Sequence, residues 1–393
     1  MSKIEKLSIL IVTFVQFIRV FGSSVVIPVL SICGDNFIYA NPFLIGLAIG
    51  VHGLAQSVFQ IVLGIFSDIF GRKPILFFGL VLFILGNVIG ALSQTIYGII
   101  FGRFLQGCGA IGSTLLALLA DVVSNKNRTK GFGFVGFFIG TSFLLSTICS
   151  SLINQFLDLS NIFWLIAFLG LFGILLLLFL PTANGMKKKF QDNTLLRVQI
   201  KNILLDFNLM QFNYGIFILH SMFGVLMLAA PTNYLLFISQ WFICFSILLL
   251  SFIITAPLIL LFSVYQQKIK LILLFSIFIF IVAESLFFNF STSNHVLFFS
   301  SVVYFSIFSV LESMLPALII QKSPMNSKGM IMGLYSSFQF LGIFFGASFG
   351  GLVLHYTGYQ GLFCFNIILG VSWLVCTSLM KNTNFKSYGR HKL

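Results

Sequence analysis

The stretch Gly64–Pro74, GIFSDIFGRKP, holds the pattern that decides the fold of this chain. Only 8% of the chain is charged, yet Asp68, Arg72 and Lys73 lie within six residues between two long apolar runs. Asp68 ends the first run, where the dipole of a helix is negative and disfavours a carboxylate. Arg72 is one group that could favour it there, and the N-terminus of a neighbouring helix is another. The alternative is a charged turn that only separates the two runs.

Composition places the chain in a lipid bilayer. Its 393 residues are 59% hydrophobic with a mean hydropathy of +1.07, whereas about a quarter of the residues of a soluble protein are charged. A chain with so little polar surface is typical of a membrane protein. The net charge of +13 does not indicate nucleic-acid binding, because a basic patch needs a soluble face.

Twelve apolar windows follow one another along the chain, each near the length of about 20 residues that a spanning helix needs. Of the 22 Lys and Arg residues, 20 fall at the N-terminus, in alternate breaks between windows, or in the tail. Basic residues concentrate on the cytoplasmic side of a membrane. We therefore expect a multi-pass protein with both termini in the cytoplasm.

The expected fold class is an all-α membrane protein with two halves of six helices each. Residues 1–181 form the first half and residues 212–380 the second. Between them, residues 182–211 form a cytoplasmic linker, in which the apolar positions of 194–207 predict an amphipathic helix on the membrane surface. Residues 381–393 form a short cytoplasmic tail.

The two halves carry matching signals. Lys130-Gly131 before the fifth window recurs as Lys328-Gly329 before the eleventh, 198 residues later. Such a duplicated unit is the architecture of secondary transporters, whose substrate site lies between the halves near the middle of the bilayer.

The opening stretch resembles the signature of the major facilitator superfamily, G-x-x-x-D-x-x-G-R-K, with Gly64 and Gly71 at its glycine positions. RFLQG, at Arg103–Gly107 in the fourth window, resembles the second motif of that superfamily, R-x-x-Q-G. More narrowly, FIRVFGSSVVIPVL in the first window and NRTKGFGFVG in the fifth resemble the YajR-like bacterial transporters. The resemblance covers the whole chain and implies a monomer in the cell inner membrane.

The resemblance also implies a conformational latch. Asp68 would face the start of the eleventh helix near Lys328, holding the halves together on the cytoplasmic side while the cavity is open outward. Arg72 would pair with Asp121 at the end of the fourth helix, and Lys73 completes the motif.

The sequence departs from the resemblance in two places. Proton-coupled exporters of the superfamily carry Gly-Pro near the outer end of helix five, where this chain has Ser150-Ser151. YajR-like proteins carry a soluble domain after helix twelve, where this sequence has residues 381–393. We expect the protein to work without that domain.

Titratable residues inside the apolar windows are candidates for function, because an ionised group at mid-bilayer costs about 2.5–3.5 kcal/mol. They are Arg19, His52, Arg103, His220, Glu284 and Glu312. The superfamily lines its cavity with helices 1, 4, 7 and 10, so Arg19, Arg103, His220 and Glu312 become candidate substrate or proton sites, together with Gln106 of the second motif. Glu284 and His52 are expected to be structural.

Two interpretations of the arginines stay open. Arg19 and Arg103 could bind an anionic substrate or hold a carboxylate that carries a proton. Alternatively, each arginine donates hydrogen bonds to backbone carbonyls where a helix is interrupted, or extends its long side chain to water. Glu312 is the acid that combines depth with a cavity helix, so it is the main proton candidate.

We expect a secondary transporter that moves a small molecule by alternating access, is proton-coupled, and exports its substrate. A proton-symporting importer or a uniporter is the alternative within this class, and a membrane scaffold or enzyme is the alternative outside it. The sequence has no HExxH motif, no nucleophile–base pair and no phosphate-binding loop. We therefore expect no enzyme, cofactor, metal or nucleic acid, with a small molecule, protons and the bilayer as partners.

Overall fold

The computed structural model describes residues 1–153, 156–180, 206–228, 241–264, 268–290, 293–322 and 328–380. Within these ranges the chain forms twelve α-helices and one short 3-10 turn at Gly34–Asn36. In chain order the helices are α1 Lys3–Cys33, α2 Pro42–Phe70, α3 Arg72–Leu92, α4 Ile96–Cys108, α5 Gly112–Val122, α6 Asn125–Ile153, α7 Leu159–Leu178, α8 Phe207–Leu228, α9 Trp241–Val264, α10 Ile269–Phe290, α11 Asn294–Lys322 and α12 Lys328–Ser378.

Most of these helices are long and apolar enough to cross a membrane. Ten segments of the described chain are long and apolar enough to span a membrane. One of them, Ile331–Ser378, has 48 residues, about twice what a crossing needs, and turns at Gly358, where φ is 70° and ψ is −168°. The shorter apolar helix Phe245–Ile259 supplies the remaining crossing within the described ranges.

The fourth crossing, Ile96–Val122, is interrupted near its middle. Helix α4 ends at Cys108 and α5 begins at Gly112. Glycine has a low helix propensity, and Gly109 allows close packing here, because a Cβ on it would lie 2.4 Å from the carbonyl oxygen of Gly79 in α3.

The second half begins at Phe207, before the predicted boundary at 212. Asp206 caps α8, because its carboxyl oxygen accepts from the backbone N–H of Leu209 at 3.3 Å. The amphipathic helix predicted at 194–207 and the tail at 381–393 lie outside the described residues, except for the last two residues of that helix.

The two halves meet at the end of the bundle that holds Cys33 and Pro42, here called the sealed end. A Cβ built on Gly46, Gly50 or Gly53 of α2 would lie 2.2, 2.9 or 2.6 Å from a backbone oxygen of α12. This contact, with Gly351 of α12 against Pro42, is called the glycine seam. Backbone approaches backbone there, as small residues permit in membranes.

Further contacts close the sealed end. Ser31 Oγ in α1 donates to the carbonyl of Met227 in α8 at 2.5 Å. The rings of Phe143 in α6 and Phe223 in α8 lie 5.7 Å apart. Helices α1 and α6 of the first half thus touch α8 of the second, in addition to the glycine seam.

The other end of the bundle holds the N-terminus and the loop between α2 and α3, and is called the charged end. Added side chains at Gly133, Gly136 and Gly140 of α6, and at Gly333 of α12, would meet nothing within 4 Å. The side chain of Asp68 is 48% exposed. These positions of α6 and α12 therefore face open space, whereas the halves touch at the sealed end.

Candidate functional site

Arg72 connects three helix ends at the charged end. Its guanidinium pairs with Asp68 at 2.6 Å and with Asp121, at the end of α5, at 3.0 Å. It also donates to the hydroxyl of Ser67 at 2.6 Å. Gly71, between α2 and α3, has a φ of 95°, a conformation that glycine adopts readily. The contact with Asp121 is the one that the resemblance implies.

Asp68 pairs with Arg72 at 2.6 Å. Its contact with the start of α12 stays a prediction, because the side chains of 328–330 lie outside the described ones. Gly64 lies one turn earlier, and a Cβ there would meet the Ser113 hydroxyl at 3.6 Å. Lys73 is partly buried in the first turn of α3.

Arg103 lies inside the first half and is only 1% exposed. Its guanidinium donates to the carbonyl of Ser23 in α1 at 3.2 Å and to the carbonyl of Ala48 in α2 at 3.4 Å. It also donates to Gln106 Oε1 at 2.6 Å, and Gln106 Nε2 donates to Asn87 Oδ1 at 3.1 Å. Arg103 and Gln106 thus join four helices of the same half.

Arg19 is a second buried arginine of the first half. It is 7% exposed, and its Nε donates to Gln16 Oε1 at 3.4 Å. His52 is a partly buried neighbour on α2. Unlike Arg103, Arg19 has no hydrogen bond to a backbone carbonyl among the described residues.

Glu312, His220 and Gln339 form a polar cluster, here called the triad, in the second half. Gln339 Nε2 in α12 lies 2.9 Å from Glu312 Oε1 in α11 and 3.0 Å from His220 Nε2 in α8. His220 Nε2 and Glu312 Oε2 are 3.7 Å apart. The Glu312 side chain is 35% exposed, whereas that of His220 is 8% exposed. The structure therefore brings together two of the predicted residues and adds Gln339.

The hydrogen bonds of the triad define the form of the histidine. His220 Nδ1 lies 3.2 Å from the carbonyl oxygen of Ile216, so Nδ1 carries the proton in a neutral ring. Nε2 is then an acceptor, and the two N–H groups of the Gln339 amide can reach His220 and Glu312 at once. Glu312 Oε2 has no hydrogen-bond partner in the described chain.

Gln339 is the member that the sequence did not reveal. It lies in an apolar stretch, SSFQFLG, and carries no charge. Tyr335, one turn earlier on α12, is buried with a hydroxyl that has no described partner. The signal that could have found Gln339 is that a polar amide within a span seeks a partner on a neighbouring helix.

Glu284 lies away from the triad and is fully buried. Asn366 Nδ2 in α12 donates to Glu284 Oε1 at 2.8 Å and to the carbonyl of Met222 at 3.2 Å. These contacts connect α8, α10 and α12. The described residues also contain no group of three metal-ligating side chains.

The sequence matches a known protein family and several known transporters. The family model described as "Major Facilitator Superfamily" matches residues 12–271. The chain is 34% identical over 374 residues to "Inner membrane transport protein YajR" of Escherichia coli K12, covering 94% of this chain and 82% of that protein. It is 33% identical over 387 residues to an uncharacterized transporter of Buchnera aphidicola subsp. Baizongia pistaciae, covering 95% of this chain and 97% of the relative.

Among solved structures, a mutant of the nucleoside transporter NupG is similar with a TM-score of 0.74. The alignment covers 95% of this chain and 99% of that chain at 17% sequence identity. At this identity the likeness concerns the fold alone.

Proposed function

Since this chain belongs to the major facilitator superfamily and is a secondary transporter with YajR-like relatives, we propose that it couples a small-molecule substrate to protons through the triad. Glu312 carries the proton, and His220 and Gln339 set how strongly it is held. The observation that carries this proposal is the pair of contacts from one Gln339 amide to Glu312 and His220, at 2.9 and 3.0 Å.

Proton uptake changes the set of hydrogen bonds in the triad. A protonated His220 has no acceptor nitrogen, so it cannot accept from Gln339. Its Nε2–H would instead donate to Glu312 Oε2, which lies 3.7 Å away and has no described partner. Likewise, a protonated Glu312 presents an O–H donor in place of an acceptor. The triad thus supports two arrangements that differ by one proton.

The position of Gln339 links these arrangements to the movement of the halves. Its neighbour Phe340 places its carbonyl oxygen in the glycine seam, 2.6 Å from a Cβ built on Gly53. Ser337, two residues earlier, donates to the carbonyl of Ser57 in α2 at 2.9 Å. Opening the sealed end must move this part of α12, and with it the Gln339 amide. Proton affinity then differs between the two states, which is what coupling requires.

The membrane arrangement belongs to the same proposal. The charged end faces the cytoplasm, because basic residues concentrate on that side. The protein lies as a monomer in the inner membrane, which is the membrane named for its relative YajR. The structure then corresponds to a state open to the cytoplasm. Export is the proposed direction.

Glu312→Gln tests the coupling. Glutamine keeps the size of the side chain and cannot ionise. A thermal-shift screen of metabolites and drugs first identifies a substrate through stabilisation by binding. In proteoliposomes we expect Glu312→Gln to abolish movement of that substrate against its gradient on a pH gradient, and to spare exchange at equal pH.

Glu284→Gln is the matched control, because it makes the same substitution at the other acid inside an apolar helix of the second half. This variant should keep uphill transport. Uphill transport by Glu312→Gln would overturn the role of Glu312. A wild-type protein that moves substrate only down its gradient, whatever the pH gradient, would be a uniporter.

A further inference from the structure

Arg19 holds a buried positive charge whose terminal nitrogens are unused. Its Nε donates to Gln16 at 3.4 Å, while Nη1 and Nη2 make no hydrogen bond to any residue in the described part of the chain. Arg103, also buried, donates through Nε and Nη1 to the carbonyls of Ala48 and Ser23, and its Nη2 is the atom without a described partner. A buried guanidinium without an anion is costly, so the free side of Arg19 calls for a partner.

The start of α5 lies against this free side. A Cβ built on Gly112, the first residue of α5, would lie 2.8 Å from Arg19 Nη2 and 3.4 Å from the Gln16 amide nitrogen. The N-cap residue Ile111 provides no side-chain hydrogen bond to the first turn. The first backbone N–H groups of a helix attract anions when they lack a cap. The hydroxyl of Thr114 in the same turn is also buried without a described partner.

These groups all favour negative charge. The guanidinium and the amide nitrogen of Gln16 lie against Gly112 at the start of α5, where a Cβ would meet them at 2.8 and 3.4 Å. No ion pair joins Arg19 to a carboxylate within the described ranges, since the acids found in pairs there are Asp68, Asp121 and Glu312. The broken fourth crossing creates this second helix start in the middle of a span.

We propose that Arg19, Gln16 and the start of α5 form a binding site for an anionic group, a carboxylate or a phosphate, of the transported molecule. The proposal rests on the transport function proposed above and names the class of substrate. Arg19 neutralises the anion, Gln16 donates one hydrogen bond, and the missing side chain of Gly112 lets the guanidinium lie against the start of α5. Arg103 holds the surrounding helices in place.

Binding of simple anions to the purified full-length protein tests the site. The melting temperature is measured against increasing sodium phosphate and, separately, sodium succinate, each compared with sodium chloride at equal ionic strength. We expect a saturable rise for at least one of the two anions. Arg19→Gln should abolish it, and Gly112→Ala should raise the half-saturating concentration by about tenfold, the effect of losing one hydrogen bond to a charged group.

Gly136→Ala is the matched control, because a Cβ at position 136 meets nothing within 4 Å, and it should respond as the wild type does. Gly112→Ala should remain folded, since its Cβ meets only the ends of two flexible side chains. Equal responses of wild type and Arg19→Gln, or no response beyond sodium chloride, would overturn the site. The readout is binding, so this result is independent of proton coupling, and failure of coupling in Glu312→Gln leaves it unchanged.

Discussion

At the scale of single residues, Glu284 and Glu312 are two acids of the second half in opposite surroundings. Glu284 is fully buried and bonded to Asn366. Glu312 is 35% exposed and shares the Gln339 amide with His220. A buried acid with one side-chain partner joins helices, whereas a partly exposed acid that shares an amide with a histidine fits the proton-carrying role proposed above.

Substitution of Glu284 separates a structural role from a proton-carrying one. Glu284 Oε2 and Asn366 Oδ1 both lack a described partner, so the amide of Glu284→Gln could donate to Asn366 Oδ1. We expect Glu284→Gln to change the free energy of unfolding by less than about 1 kcal/mol, and Glu284→Leu to lower it by about 1–3 kcal/mol, because Asn366 then loses its side-chain partner and keeps only the carbonyl of Met222. Denaturant unfolding in detergent measures both. Equal losses for the two variants would contradict the structural role.

Sequence patterns predicted some of these residues and not others. Charge within an apolar run revealed Arg19, Glu312 and His220, because an ionisable side chain in lipid is costly wherever it points. Gln339 was missed because an uncharged amide gives no sign of which helix it faces. Contacts between distant parts of the chain, such as Gln339 with Glu312, depend on packing that periodicity does not describe.

At the scale of elements, the glycine seam between α2 and α12 controls the sealed end. A Cβ at Gly46 would lie 2.2 Å from the carbonyl oxygen of Ala347, so Gly46→Ala must push the two helices apart. Position 354 lies in a cavity of about 220 Å³ at the sealed end. In a cysteine-free background, we expect a cysteine at this position to react faster with a polar thiol reagent when Gly46→Ala is present than when Gly46 is kept.

Gly333→Ala serves as the control for that experiment, because it lies on α12 with nothing within 4 Å of its added Cβ. It should leave the labelling rate unchanged. If Gly46→Ala and Gly333→Ala label alike, the seam does not hold the sealed end.

The loop between α2 and α3 gives the corresponding prediction for the charged end. Asp68→Asn removes the charge that the latch requires, so it should shift the population further toward the state that is open at the charged end. A cysteine probe in the charged half of the cavity should label faster. Arg72→Ala should act in the same direction, because it frees Asp121 from its 3.0 Å contact. Unchanged labelling and transport in both variants would mean that the motif only fixes topology.

The elements also show where sequence reasoning reached its limit. The lengths of the apolar runs predict the membrane-spanning helices, because every backbone group in lipid must bond within its own helix. That same rule does not locate the interruption of the fourth crossing, where Gly109 packs against the carbonyl of Gly79. This contact joins two helices, and the length of an apolar run does not describe it.

At the scale of the whole molecule, the distribution of charge predicts the orientation in the membrane. Reporter fusions after Lys189 and after Lys381 should report the cytoplasm, and a fusion near Asp158 should report the outside. An external signal from the fusion at Lys189 would contradict both the orientation and the count of six crossings before it.

The glycine seam has a consequence for the speed of transport. Interlocked side chains must change rotamers before two helices part, and each such change adds to an activation barrier. In the seam, bare backbone at Gly46, Gly50 and Gly53 faces backbone of α12, so parting α2 from α12 needs less repacking of side chains than parting two interlocked helices. We expect this to lower the barrier for opening the sealed end, so that the turnover rate is limited by the protonation and binding steps that precede it.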